Sequence, residues 1–467
     1  MYTCQKADEY IEKNRVDRAD KPEFHLTTPV GWLNDPNGFS IYGGKAHLFY
    51  QFHPYSTEWG PMHWGHSSSK DFIKWEELPT ALAPDSEFDS FGCFSGTAIE
   101  NDGKHVLFYT GVVEEKLADG TKNVIQNQCM AVGDGISYEK ISSNPVVDGK
   151  IMPEECSRAD FRDPYDGIPQ VVLFSSDDMY NWKFESVFAK DETGRFGAVW
   201  ECPDYFEMDG HNVLIVSPQD MSADGEFHNG NNVVFFTGDV DEERHIFKYE
   251  KAVSVDSGFD FYAPQTIRTP DGRRVMIGWM QSWDSVNTLP RGQKWACMMS
   301  VPRELMISDG KLIQTPVREL CGYRQNKLVV NDTLRGEKTY EGVNGRVIDM
   351  TVDIKKADCG HFTMHFAKDE IHETNVSYTP GTQMLEIDRT FAGWIRDTNC
   401  VRKVKIKNGN GLSKMRIVMD WNSIEIFVND GEQVLSTVIY TPRNAQDVVF
   451  ETDGCVELEV EKYDLNI

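Results

Sequence analysis

A turn glycine followed by a short apolar run recurs along the first two thirds of this sequence, and this repeat most constrains how the chain can fold. The glycines are Gly44, Gly103, Gly167, Gly210 and Gly272, spaced 59, 64, 43 and 62 residues apart. A Ser-x-Asp-x-x-x-Trp element also occurs at 69–75 and again at 176–182. Strand-rich repeats of this length are typical of β-propellers with one blade per repeat. The repeat therefore predicts an all-β chain with a five-bladed β-propeller, and a β-sandwich with long loops is the alternative.

The texture of the sequence changes near residue 325. From there, apolar and polar side chains alternate, as in antiparallel sheets with one buried face. Two β-type runs flank Asn429-Asp430-Gly431-Glu432, which predicts a hairpin. We therefore expect an N-terminal extension with a short helix at 1–22, a propeller at 23–325 and a C-terminal β-sandwich at 326–467.

The charge balance excludes several classes of partner. The 467 residues include 74 acidic and 47 basic side chains, which gives a formal net charge of −27. Such a surface repels nucleic acid and anionic lipid, so we expect neither as a partner. The first 20 residues lack the apolar run of a secretory signal, and no run approaches the length of a membrane span. Ten cysteines without a Cys-x-x-Cys pair are typical of reduced thiols, so we expect a cytoplasmic protein.

Three acidic motifs lie on predicted loops in different repeats. They centre on Asp35 in WLNDPNG (32–38), Asp163 in FRDP (161–164) and Glu201 in WECPD (200–204). Taken singly, each is compatible with an ordinary turn or strand end. Equivalent strand ends of different blades converge on a propeller axis, however, and three converging carboxylates repel one another unless they have a task. A pair of carboxyls, one ionised and one protonated, is what cleavage of a glycosidic bond requires.

Taken in order, these motifs resemble the signature blocks of glycoside hydrolase family 32, which holds invertases, fructanases and sucrose-6-phosphate hydrolases. The resemblance implies a five-bladed propeller followed by a β-sandwich, and cleavage of β-fructofuranosides with retention of configuration. It extends into the second domain through EIDRT (386–390) and SIEIFVNDGE (423–432). The further matching blocks of the first domain are QFHP (51–54), WGHSSSKD (64–71), FSGT (94–97) and DFYAPQT (260–266).

Carried over position by position, the resemblance implies a role for each matching residue. Asp35 resembles the nucleophile, Glu201 the general acid/base, and Asp163 the residue that holds fructose hydroxyls and stabilises the transition state. No metal ion and no cofactor is implied. The residues that resemble the fructose-binding shell are Asn34, Gln51, Trp59, Phe94, Ser95, Arg162 and one of Trp279 and Trp283.

The blade that carries Arg162 and Asp163 is shortened in this sequence. Gly44 and Trp75 lie 31 residues apart, whereas the corresponding Gly167 and Trp182 lie only 15 apart, so about 16 residues of strand and turn are missing. This departure from the family leaves a catalytically impaired, sugar-binding relative as one alternative.

The sequence thus predicts a cytoplasmic β-fructofuranosidase whose partner is a small-molecule sugar, either sucrose or a short fructo-oligosaccharide. Two alternatives of the same fold are a fructosyltransferase and a sucrose-6-phosphate hydrolase. The second would need a cationic subsite, for which Arg291 and Lys294 are candidates. Homo-oligomerisation through the second domain also stays open.

Overall fold

The regular secondary structure of the described residues is almost entirely antiparallel β-sheet. The computed structural model describes residues 2–117, 120–148, 168–285, 289–407 and 409–467. Within these ranges no helix has the length and apolar character needed to cross a membrane. Short 3₁₀ segments lie at Arg18–Asp20, Arg318–Tyr323 and Asn429–Gly431.

A single α-helix, α1 (Cys4–Asn14), opens the described part of the chain. Thr3 caps it, because the Thr3 hydroxyl accepts a hydrogen bond from the backbone N–H of Lys6 at 3.2 Å. Ala7 and Ile11 lie on the buried face. The predicted N-terminal helix is therefore confirmed.

The first part of the chain forms successive antiparallel sheets, each built from strands that are neighbours in sequence. Such meanders arranged one after another give a propeller-like domain. In chain order, the strands are β1 (Gly31–Tyr42), β2 (Lys45–His53), β3 (His63–Ser69) and β4 (Trp75–Leu82) in the first sheet; β5 (Gly92–Asn101), β6 (Lys104–Lys116), β7 (Lys122–Gly133) and β8 (Tyr138–Lys140) in the second; β9 (Gln170–Ser175) and β10 (Lys183–Lys190) in a two-stranded sheet; β11 (Val199–Met208), β12 (His211–Gln219), β13 (Val234–Asp241) and β14 (Ile246–Ser254) in the third; and β15 (Tyr262–Arg268), β16 (Arg274–Trp279), β18 (Arg303–Ser308) and β19 (Lys311–Pro316) in the fourth.

The start of this domain is joined to its end. A short strand, β17 (Trp295–Ala296), pairs in parallel with Gly31 and Trp32 of β1, so the first sheet gains a fifth strand from a distant part of the chain. Four blade-sized sheets are present among the described residues, so the predicted count of five blades is not confirmed. The segment that carries Arg162 and Asp163 lies outside these residues.

The first strand of each blade-sized sheet carries a β-bulge close to its start. A bulge bends a strand and redirects the side chains beside it. Three of these strands also bond to one another: Gln265 of β15 donates from Nε2 to the Gly96 carbonyl of β5 at 2.8 Å and accepts from the Phe39 N–H of β1 at 3.0 Å. The shifts in register occur at Leu33/Pro36 in β1, Phe94/Gly96 in β5, Glu201/Asp204 in β11 and Tyr262/Gln265 in β15.

The C-terminal part is a sandwich-like sheet, and the predicted hairpin around Asp430 is confirmed in it. Its long last strand bonds to Phe362–Lys368 through residues 447–452, to Ile348–Asp358 through residues 455–464 and to Arg324–Lys338 through both parts, and side chains of these strands share one apolar core. The strands are β20 (Arg324–Lys338), β21 (Ile348–Asp358), β22 (Phe362–Lys368), β23 (Glu373–Thr379), β24 (Met384–Phe391), β25 (Val401–Lys405), β26 (Lys414–Asp420), β27 (Ser423–Val428), β28 (Gln433–Val438) and β29 (Asp447–Leu465).

A buried charge network fastens the two parts together. His25, next to the propeller-like domain's first strand, contacts Asp420 at 2.9 Å through Nδ1 and Glu425 at 3.0 Å through Nε2. Arg303 of β18 donates to Glu425 at 2.8 Å and to Asp256 at 2.9 Å. Burial opposes a charge on His25, but the hydrogen bonds and charges of Asp420 and Glu425 outweigh it and raise the pKa of His25 to about 9.

Candidate active site

Three of the bulged strands, β1, β5 and β11, line one open pocket of about 540 Å³. This volume falls in the range of about 300–1,000 Å³ that is usual for small-molecule sites. The pocket is lined by Asn34, Asp35, Gln51, Trp59, Phe94, Ser95, Glu201, Gln219, Asp220, Asn231, Trp283 and Asp284.

Asp35 lies inside the β1 bulge and is 5% exposed. Its Oδ2 accepts a hydrogen bond from the Ser95 hydroxyl at 3.3 Å, and the Cys202 thiol donates to the same oxygen at 3.9 Å. Ser95 comes from the β5 bulge and Cys202 from the β11 bulge. Donors that surround a carboxylate favour its ionised form, so the contacts suit Asp35 to act as an anion.

Glu201 begins the β11 bulge and is 9% exposed. Its Oε2 accepts hydrogen bonds from Gln219 Nε2 at 2.5 Å and from the Tyr262 hydroxyl at 2.9 Å. The Tyr262 oxygen also lies 3.0 Å from the Ser217 carbonyl. Burial and the neighbouring Glu201 and Cys202 hold the pKa of Tyr262 well above its usual value, so Tyr262 stays a phenol.

The single proton of Tyr262 has two acceptors within reach. When Glu201 is ionised, the Tyr262 hydroxyl can donate a hydrogen bond to the Glu201 carboxylate. When Glu201 is protonated, Glu201 can donate to the phenol oxygen while the Tyr262 hydroxyl donates to the Ser217 carbonyl. The side chain of Glu201 is thus held in place in either protonation state. Such a support is what a group that alternately gives and takes a proton requires.

Aromatic rings and amides share the rest of the wall. Trp59 and Trp283 are 41% and 38% exposed, and Trp59 meets Phe94 edge to face with ring centroids 5.9 Å apart. Asn34 is held by Trp32, whose Nε1 donates to Asn34 Oδ1 at 2.8 Å, and Gln51 is held by the Cys93 carbonyl at 3.0 Å. Flat apolar faces beside fixed amides suit a sugar ring, which has apolar faces and a rim of hydroxyls.

The structure brings together most of the residues that the sequence singles out. Trp279 is the exception among the described ones: it is fully buried, and its ring packs edge to face behind Trp283 at 4.9 Å, so Trp283 faces the pocket. Arg162 and Asp163 lie outside the described residues.

Five residues of the site escape the sequence reasoning. Tyr262 stands in a quoted block, but only the fold brings it under Glu201. Gln219 is the last residue of β12 and Asp220 follows it, and neither belongs to a sequence motif. Asn231 and Asp284 carry no sequence signal, and they meet because Asp284 accepts from the Asn231 backbone at 2.7 Å and side chain at 2.8 Å.

The pocket is acidic and, among its described lining residues, contains no lysine or arginine. Asp220 and Asp284 add two carboxyls on the rim to those of Asp35 and Glu201. Arg291 and Lys294, the candidates for a cationic subsite, are exposed and do not line the pocket. The arrangement can therefore bind a neutral polyol, supply a nucleophilic carboxylate, and supply a second carboxyl that transfers a proton.

Comparison with known families accounts for nearly the whole chain. Residues 25–316 match "Glycosyl hydrolases family 32 N-terminal domain", and residues 319–465 match "Glycosyl hydrolases family 32 C terminal".

Individual relatives match over similar lengths. A sucrose-6-phosphate hydrolase of Escherichia coli is 33% identical over 94% of this chain and 93% of its own, and a raffinose invertase of the same organism is 34% identical over 95% and 94%. Among solved structures, a β-fructofuranosidase of Bombyx mori superimposes with a TM-score of 0.84 at 31% identity, over 99% of this chain and 98% of that one. A mutant of the silkworm enzyme has been solved in complex with sucrose.

Proposed function

The chain belongs to glycoside hydrolase family 32, and on that premise we propose that it hydrolyses sucrose and short fructo-oligosaccharides as a retaining β-fructofuranosidase. The observation that carries the proposal is the meeting of Asp35 and Glu201 in one sugar-sized pocket. The residue after Glu201, Cys202, touches the Asp35 carboxylate, so the two bulges lie side by side.

The reaction proceeds in two displacements. Asp35 attacks the anomeric carbon of the fructosyl unit while Glu201 gives its proton to the departing glycosidic oxygen, which leaves a fructosyl ester on Asp35 and an ionised Glu201. Water then attacks the same carbon, Glu201 takes one proton from it, and the ester bond to Asp35 breaks. The Tyr262 hydroxyl stabilises the ionised Glu201 formed in the first displacement by donating a hydrogen bond to it. The role of Asp163 and Arg162 in holding fructose rests on the family resemblance alone.

The charge of the pocket favours unphosphorylated substrates. A phosphoryl group on the sugar would enter a site that already holds carboxyls at Asp35, Glu201, Asp220 and Asp284. Like charges a few ångströms apart repel, and no described lysine or arginine of the lining offsets that repulsion. We therefore propose sucrose rather than its 6-phosphate, although several relatives are named for the phosphorylated sugar.

We also propose a five-bladed ring in which the β9–β10 sheet is the described part of the fifth blade. Two contacts support this position between the second and third sheets. Trp182 meets Phe108 of β6 edge to face at 5.6 Å, and Ser186 of β10 donates to the His245 carbonyl beside β14 at 2.6 Å. The domain limits of 23–325 and 326–467 and a cytoplasmic location remain part of the proposal, and the nine described cysteines, all free thiols, support the latter.

The test measures fructose release from sucrose, sucrose-6-phosphate and a fructose-terminated trisaccharide. We expect Asp35→Ala and Glu201→Gln to lower kcat for sucrose by about 10²–10⁴-fold or more, since each removes a group that acts in the transition state. Glu207→Gln, at an exposed position on the same strand as Glu201, is the matched control and should keep full activity. With an activated fructosyl donor, whose leaving group needs no proton, Glu201→Gln should accumulate a fructosyl adduct on Asp35 detectable by mass spectrometry.

Three outcomes would overturn parts of the proposal. Full activity in Asp35→Ala would remove Asp35 as nucleophile. A higher kcat/KM for sucrose-6-phosphate than for sucrose would refute the argument from pocket charge. Absence of fructose release from all three sugars by the folded parent would favour a sugar-binding relative.

A further inference from the structure

A second, larger cavity of about 890 Å³ lies where the third and fourth sheets meet the C-terminal part. It is bounded by the end of β14, by β19, by the loop at 225–228 and by β25 with the residues that follow it. We call it the lysine groove, because its lining includes Lys251, Lys311, Lys403, Lys405 and Lys407.

The lysine groove carries a net positive charge, opposite in sign to the net charge of the protein. Its five lysines meet three glutamates, Glu226 and Glu432 of the lining and Glu386 beside Lys403, which leaves an excess of two positive charges in a chain whose net charge is −27. His228 adds no charge at neutral pH, because burial lowers its pKa to about 4. A cationic concavity on an anionic protein collects small anions by focusing the field.

Three of the lysines are brought together by strand geometry. Lys403 and Lys405 occupy alternate positions at the end of β25, Lys407 continues the alternation, and side chains two apart in an extended chain share one face. Lys403 and Lys407 have carboxylate partners, Glu386 at 2.7 Å and Glu226 at 2.5 Å.

The remaining lysines of the groove differ in whether a carboxylate lies close enough to neutralise their charge. Lys311 pairs with Glu432 at 2.7 Å. Lys251 donates to the Gly310 carbonyl, and neither Lys251 nor Lys405 has a carboxylate within 4 Å among the described residues. The groove therefore holds cations that neighbouring side chains leave uncompensated.

The same alternation sets what the groove offers a ligand. Val404 and Ile406, which alternate with the lysines of this segment, are at least 95% buried and belong to the apolar core of the C-terminal part. They fix the backbone from which Lys403, Lys405 and Lys407 extend, and the lysines themselves form the exposed surface. The groove therefore recognises charge, and a ligand with two anionic groups can contact more than one lysine.

We propose that the lysine groove binds a phosphorylated small molecule that carries at least two anionic groups. The catalytic pocket, lined by four carboxyls, repels such a molecule, so the two sites are separated by charge. Lys251 and Lys405 contact its anionic groups, because their ammonium groups do not have to leave a carboxylate first. This proposal stands independently of the sugar cleaved at the catalytic pocket.

The experiment is isothermal titration of the full chain with glucose 1,6-bisphosphate and with pyrophosphate at constant ionic strength, with sodium sulfate and sucrose as comparison ligands. We expect one saturable site per chain, at least tenfold tighter for the bisphosphate than for sulfate. The Lys251→Glu/Lys405→Glu double variant should weaken this binding at least tenfold. The matched control is Lys355→Glu, which reverses an exposed lysine of β21 outside the groove and should leave binding unchanged.

Binding rather than catalysis is the readout, so failure of this proposal is distinct from failure of the proposed function. Lys251→Gln/Lys405→Gln, with a melting temperature matched to that of the parent, replaces the charge-reversed variant if the latter does not fold. No saturable binding, equal affinity for sulfate, or binding that survives in the double variant would each overturn the inference. Equal loss in Lys355→Glu would show that net charge, rather than the groove, holds the anion.

Discussion

Replacing His25 with glutamine should remove a specific part of the protein's pH-dependent stability. His25 has a pKa of about 9 in the folded chain and about 6.5 when unfolded, so the folded state holds the extra proton between these values. This stabilisation is fully present below pH 6.5 and is lost as the pH rises through 9. The difference of about 2.5 pKa units corresponds to about 3 kcal/mol in total, of which about 1 kcal/mol is lost between pH 7 and pH 8.

The ionisation of Asp420, Glu425 and Lys21 does not hide the loss of the His25 proton between pH 7 and pH 8. The pKa values of Asp420 and Glu425 are lowered, because their hydrogen bonds and charge pairs with His25 and Arg303 outweigh the cost of burial, so both are ionised above pH 7. In the variant, the Asp420 carboxylate keeps the backbone N–H groups of Glu23 and Phe24, and Glu425 keeps Arg303. Lys21, whose pKa burial lowers to about 8, titrates equally in parent and variant.

The assay is urea unfolding followed by tryptophan fluorescence at pH 7.0, 7.5 and 8.0. The quantity of interest is the free energy of unfolding of the parent minus that of His25→Gln, which should fall by about 1 kcal/mol across this range. His361→Gln, which changes a half-exposed histidine of the C-terminal part, should track the parent. Parallel curves for the parent and His25→Gln would refute the claim that His25 carries a proton between Asp420 and Glu425.

Two further predictions concern the catalytic pocket and the acid side of the stability profile. Tyr262→Phe removes a hydrogen bond to Glu201 worth about 1–2 kcal/mol, so kcat for sucrose should fall about tenfold with KM within about twofold; an unchanged kcat would show that the phenol does not support Glu201. Burial holds the pKa of His66 well below its usual value and lowers that of His105 to about 3. Because these histidines take up protons near pH 6.5 only when the chain is unfolded, acid favours the unfolded state. The melting temperature measured by calorimetry should therefore drop between pH 7 and pH 5. A melting temperature that is constant or higher at pH 5 would contradict this account.

The sequence could predict the strands and the motif residues because both leave local signals. Turn glycines and β-branched runs mark the meanders, and the hairpin around Asp430 follows from its flanking strands. Asp35 directly precedes Pro36 and Glu201 precedes Cys202-Pro203, in motifs with a fixed order. Those two residues line one pocket because the first strands of separate sheets bulge near their starts, which residue spacing alone does not reveal.

The rest depended on contacts between residues far apart in the chain. Tyr262 lies 61 residues from Glu201, and Asp284 lies 53 from Asn231, so neither pairing could be read from local pattern. Trp279 and Trp283 look alike in sequence, and only packing decides that one ring is buried behind the other. The lysine groove is equally invisible in sequence, since Lys251 and Lys405 come from different domains and the net charge conceals them.

The first strand and the residues before it bond to residues that come much later in the chain, and this has a consequence for how the protein is made. β1 pairs with Trp295 and Ala296, and the backbone of Glu23 and Phe24 bonds to Asp420, about 397 residues later. A ribosome that adds about 5–20 residues per second needs roughly 20–80 s to supply that partner. Until residues 295–296 are made, the edge of β1 has no partner strand, and until Asp420 is made, the N–H groups of Glu23 and Phe24 lack their acceptor. In a newly made chain, the first blade is therefore the part whose strand edge stays unpaired for long. Chaperone binding and aggregation should concentrate there during synthesis.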